Sequence, residues 1–145
     1  MRKFTISKNF EKFEYDLLKE KINEELPIEL FEVLEIYAGL GILENIYFDK
    51  ERKKKWILSC FLRFHEIYNY YEDIKEELCF AELNIKLLSF ANEDGGWKFC
   101  ISTEKDYPVY IFKSSDYSGK DAFEKISHSF IEFINELQIC ENENN

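Results

Sequence analysis

Apolar residues return along this chain with two different periods, and the switches between them divide it into helices and strands. Phe10, Phe13, Leu17, Leu18 and Ile22 recur at spacings of three, four, one and four, the period of a helix with one buried stripe. The spacing predicts a first helix over Lys8 to Glu24. Leu26-Pro27 opens a second, since proline fits a first helical position, where its missing N–H has no intrahelical partner. Its stripe is Leu30, Phe31, Leu34, Tyr37 and Ala38, opposite Glu29, Glu32 and Glu35, and Gly39 is a stop because glycine reaches the left-handed conformation that ends many helices.

The period then shortens. Ile42 to Phe48 and Trp56 to Phe64 are rich in β-branched and aromatic residues and flank DKERKKK, which reads as a β-hairpin with a charged tip. Ile67, Tyr70, Tyr71, Ile74 and Leu78 restore helical spacing between His65 and Leu78, with Glu66, Glu72, Asp73, Glu76 and Glu77 on the remaining positions. Three strands follow, at Ile85 to Phe90, Trp97 to Ser102 and Pro108 to Phe112. In the second, Trp97, Phe99 and Ile101 alternate with Lys98, Cys100 and Ser102, so that one of its two faces seeks a core.

Asp94-Gly95-Gly96, between two of these strands, is a hairpin turn rather than a ligand loop. A phosphate cradle would lead into a helix N-terminus, and a calcium loop would alternate oxygen ligands over about twelve residues. Ile126, Phe130, Phe133, Ile134 and Leu137 mark a closing helix, with Ser129 and Glu132 at capping-box spacing and Ser127 as an alternative cap. The tail at 141–145 is expected to fray. The sum is an α+β fold with two N-terminal helices, one mid-chain helix, one C-terminal helix and a mainly antiparallel sheet of about five strands, whose order does not follow from the pattern.

Length and composition narrow this picture. The chain's 145 residues fit a single domain, 1–145, large enough to bury roughly 70% of its unfolded surface. Aromatic residues make up 17%, and 29 acidic against 19 basic residues leave a net charge of −10. Such a molecule repels nucleic acid and anionic membranes and favours a basic partner. There is no signal-like apolar run and no span of membrane length, which predicts a cytoplasmic protein. Cys60, Cys79, Cys100 and Cys140 form no CxxC and sit in or beside apolar segments, which favours free thiols over a disulfide framework.

Catalytic chemistry finds little support. The only histidines, His65 and His128, have no Cys or His at ligand spacing, so neither a metal nor a cofactor is expected. A Cys100–His128 nucleophilic pair would need a third group to orient the base. Glu72-Asp73 and Glu76-Glu77 read as a solvated helix face rather than an acid-base pair. The Glu51 to Lys55 run reads as a hairpin tip, where lysines discourage edge-to-edge pairing.

Three segments, in this order, resemble the SUKH superfamily, the Smi/Knr-type domains. Leu26, Pro27, Tyr37 and Gly39 carry the first, in LPIELFEVLEIYAGLG. Leu88, Phe90, Gly95, Gly96, Phe99, Val109 and Tyr110 carry the second, in LSFANEDGGWKFCIS and YPVYIF. Ile126, Ser129, Phe130, Phe133 and Leu137 carry the third, in ISHSFIEFINEL. Trp97 and Lys98 stand where the family often has a further acidic residue, and the ERKKK tip looks like a local elaboration.

The resemblance implies an α+β fold without catalytic residues, not an enzyme. For most bacterial members it implies an immunity protein that binds and neutralises a polymorphic toxin, often a nuclease. Eukaryotic members instead imply a regulatory interaction protein of cell-wall signalling, and a small-ligand binder using a cleft between sheet and helices is a third reading. The expected partner is a cognate toxin with a basic surface, met by carboxylates on Glu72, Asp73 and Glu76, by Glu93 and Asp94 at the glycine turn, and by Asp116 and Tyr117 after the third of the later strands.

Overall fold

The computed structural model describes residues 10–114 and 116–139. The predicted helical residues Lys8 and Asn9, Cys140 and the tail at 141–145 lie outside them. The elements are α1 (Lys12–Ile22), α2 (Ile28–Tyr37), β1 (Ile46–Asp49), β2 (Lys54–Phe61), α3 (Phe64–Phe80), β3 (Leu87–Glu93), β4 (Lys98–Ser102), β5 (Val109–Phe112), a 3-10 turn (Gly119–Ala122), β6 (Phe123–Ser127) and α4 (Phe130–Asn135). The fold is α+β, as expected. Its sheet has six strands rather than about five, in the order β1-β2-β3-β4-β5-β6, every neighbouring pair antiparallel.

Local chemistry explains most of the boundaries. α1 starts where the Glu14 carboxylate accepts the Glu11 N–H, and α3 where Glu66 accepts the Arg63 N–H in the same way, each satisfying a donor that the helix start leaves open. Pro27 is extended (φ −72°, ψ 143°) and stands before the first helical residue of α2, not at it. Gly39 has φ +82°, a left-handed conformation that favours glycine, and this accounts for the stop after α2.

Several expectations are corrected. Phe13 and Leu17 are exposed, and the buried stripe of α1 is Tyr15, Leu18 and Ile22. Tyr15 wins a buried place because its hydroxyl donates to the Pro27 carbonyl at 2.6 Å. Tyr37, expected in the α2 stripe, is exposed. β1 begins at Ile46 rather than Ile42, and Lys54 and Lys55 belong to β2 rather than to the hairpin tip. Ile126 lies in β6, so the closing helix is short, and Ser129 is its cap, accepting the Glu132 N–H at 3.0 Å.

β4 buries both faces, not the one core face that its alternation predicts. Phe99 faces α4, its ring 5.3 Å from Phe133, while its neighbour Cys100 is buried with Ile74 and Leu78 of α3 on the opposite face. Helices therefore cover both faces of β4, and Cys100 and Ser102 are as buried as Phe99. Phe90 is at the centre of the α4 side, with the rings of Phe61, Phe99, Phe130 and Phe133 all within 6.4 Å.

The sheet also curls. The Tyr47 hydroxyl of β1 donates to the Ile126 carbonyl of β6 at 2.9 Å, and Arg52 at the hairpin tip approaches Glu124 of β6 to 3.6 Å. The first and last strands thus face each other, and after α4 the chain returns to pair Gln138 with Ile46. Among the described residues, no helix is long and apolar enough to cross a membrane.

Candidate functional site

Lys98 and Phe112 are cross-strand partners on the face that α3 covers, and there the C-terminal half of α3 and the segment after β5 leave a groove between them. Its cavity is about 560 Å³. Ile74 and Phe112, both buried, give it an apolar base. Tyr70, Asp73, Glu76 and Glu77 line it from α3, and Ser114, Tyr117 and Ser118 from the other side. The Lys98 ammonium sits 4.8 Å from the Tyr70 ring centroid, a cation held against an aromatic face.

A second layer positions the Tyr117 side. Trp97 donates its indole N–H to Asp116 and meets Tyr117 edge-on at 6.0 Å. Lys113 lies 5.5 Å from the Trp97 centroid and 4.9 Å from that of Tyr117. The Lys113 ammonium is itself fixed by Glu124, at 2.8 Å. Burial is the largest influence on Glu124 and works to raise its pKa. The hydrogen bond and charge of Lys113, with the charge of Lys54, outweigh it and hold the carboxyl below its ordinary range.

The expected contact residues divide among three places. Asp73, Glu76 and Tyr117 line the groove, and Asp116 braces it through Trp97. Glu72, one position away on α3, turns instead to α1 and pairs with Lys21 at 3.4 Å. Glu93 and Asp94 are in the β3–β4 turn, where the Glu93 carboxylate accepts the Gly95 N–H at 2.8 Å and the Asp94 N–H donates to the Ile57 carbonyl. Gly96, at φ +97°, takes the conformation this turn requires, which gives Asp94-Gly95-Gly96 its structural role.

Lys113 and Glu124 were absent from the expectation. Trp97 and Lys98 entered it as strand residues and as a departure from the family's pattern, and nothing in their spacing connects them to residues 113–124. Their association depends on the register of β4 with β5 and β6.

Other chemistry sits apart from the groove. Cys100 is fully buried, and burial pushes its thiol far above the ordinary range, while His128 is an exposed residue 3.9 Å from Glu51. Among the described residues, no three His, Cys, Asp or Glu side chains are grouped to hold a metal ion. A smaller cavity of about 210 Å³ lies between β1 and β6 and includes Tyr47, Arg52 and Ser127. The Arg52 guanidinium there is already committed to the buried Asp49 carboxylate at 2.9 Å.

No family model, curated protein or solved structure matches the chain.

Proposed function

We propose that the chain is an immunity protein of the SUKH type, which binds a cognate toxin stoichiometrically in the cytoplasm and neutralises it. One observation carries the reading: the groove combines an apolar base with three carboxylates, Asp73, Glu76 and Glu77, against a single lining ammonium, Lys98. A toxin that handles phosphates presents clustered lysines and arginines, and carboxylates on an inhibitor can occupy the same field. The aromatic side chains of Tyr70 and Tyr117 supply the kind of anchor that gives such complexes long residence. The three-segment resemblance, spread in order over most of the chain, supports the same reading from the sequence.

The test is genetic and then physical. A toxin encoded beside this chain should kill cells when expressed alone and spare them when both are expressed. The purified pair should form a one-to-one complex at micromolar concentration. Absence of both protection and complex would remove the assignment.

A further inference from the structure

We infer that the groove between α3 and the side formed by Ser114, Tyr117 and Ser118 is a seat for one arginine side chain of the partner protein. This rests on the partner-binding reading above and names the chemistry that such a partner must bring.

Uncompensated charge is the first reason. Lys21 pairs with Glu72, and Lys113, Lys54 and Arg52 converge on Glu124. Asp73, Glu76 and Glu77, by contrast, have no ion pair or hydrogen-bonded side-chain partner among the described residues. Three unpaired carboxylates around a cavity whose lining carries one ammonium, Lys98, leave a net negative field that a further cation relieves.

The base and walls specify which cation. The edges of Ile74 and Phe112 at the base, with the rings of Tyr70 and Tyr117 on the walls, give an aliphatic stem an apolar lining to lie against. Each of the two tyrosines already carries an ammonium of this chain, Lys98 at Tyr70 and Lys113 at Tyr117, so their rings are in use as cation-binding faces. Tyr117 nevertheless remains half exposed. A guanidinium is planar, weakly hydrated and forked, so it can stack on an open phenol ring while it pairs with carboxylates in two-point fashion. A lysine ammonium is compact and strongly hydrated, and can neither stack flat on the ring nor pair with carboxylates in two-point fashion. The groove, about 560 Å³ and open on one side, has room for a guanidinium and its stem.

The probes are terminally blocked Gly-Arg-Gly, Gly-Lys-Gly and Gly-citrulline-Gly, the last matching arginine in shape without its charge. Each is titrated into the 15N-labelled chain and followed by amide chemical shifts. The arginine peptide should give saturable shifts confined to residues 70–77, 98 and 112–118, with the lysine peptide weaker and the citrulline peptide silent. Replacing Asp73→Asn together with Glu76→Gln should weaken arginine binding about tenfold, the scale of one lost charge-assisted hydrogen bond, with circular dichroism unchanged. Equal shifts from arginine and citrulline peptides, shifts centred elsewhere, or no saturable shift up to about 20 mM would overturn the seat. Protection by the native chain together with a failed peptide titration sinks the seat and leaves the immunity reading standing. Peptide binding without protection does the reverse.

Discussion

The Lys113 ammonium stands 2.8 Å from the Glu124 carboxylate, and this pair links the curled end of the sheet to the groove, because the same ammonium lies against the Tyr117 ring. Glu124 also draws Lys54 to 3.4 Å and Arg52 to 3.6 Å. Its pKa is lower in the folded chain than in the unfolded one. The stability it contributes is therefore fully present above the unfolded carboxylate value and lost as pH falls through the lower, folded value. Glu124→Gln should cost about 1–3 kcal/mol near neutral pH, and the gap from the native chain should close in acid. Urea denaturation of both proteins at about pH 7 and about pH 3 reads this directly; a gap of equal size at both would contradict it.

Charge reversal separates two acidic faces of α3. Asp73 and Glu76 line the groove while Glu72 pairs with Lys21. Asp73→Lys with Glu76→Lys should slow association with the proposed toxin partner by about tenfold or more at low salt and flatten its salt dependence. Glu72→Lys should leave the association rate within about threefold, since an exposed ion pair contributes little. Stopped-flow association at two ionic strengths distinguishes the faces; equal slowing by both changes would place the partner across the whole helix.

How far pattern reaches in this chain is clearest at α3 and α4. The stripe Ile67, Tyr71, Ile74 and Leu78 emerged because a long helix against a sheet repeats its burial every turn. Ile126 to Leu137 did not resolve, because a five-residue strand and a six-residue helix lie end to end there, each too short to establish its own period. Phe13 and Tyr15 were exchanged for a different reason. Hydrophobicity favours phenylalanine for the interior, but the hydrogen bond from Tyr15 to Pro27 depends on where α2 begins. The groove follows the same rule: its acids stood on one predicted helix, whereas Trp97, Lys98, Lys113 and Glu124 meet only through strand register.

Phe90 tests the core. Four aromatic rings surround it, from β2, β4 and α4, and it is fully buried. Phe90→Ala should destabilise the chain by about 3–5 kcal/mol, the transfer of the ring together with the cavity left behind. Equilibrium denaturation measures it, and a loss below about 1 kcal/mol would mean that the surrounding rings collapse into the space.

Thiol reactivity should follow burial. Cys79 is exposed on α3, whereas Cys100 is buried and its pKa is pushed up by that burial. Iodoacetamide should label Cys79 readily in the native chain and Cys100 only under denaturing conditions, because the thiolate is the reacting form. Peptide mapping by mass spectrometry assigns the sites. Comparable labelling of both in the native state would show that α3 lifts from the sheet.

The return of the chain to Ile46 protects against a hazard common to open sheets. An outermost strand with bare amides and carbonyls recruits the same strand of a second copy and starts aggregates. Ile46 both donates to and accepts from Gln138, so the outer side of β1 is occupied by the chain's own backbone where such recruitment would start. The short stretch after α4 is thus a guard against self-association, and a chain cut before Gln138 should become prone to it at high concentration.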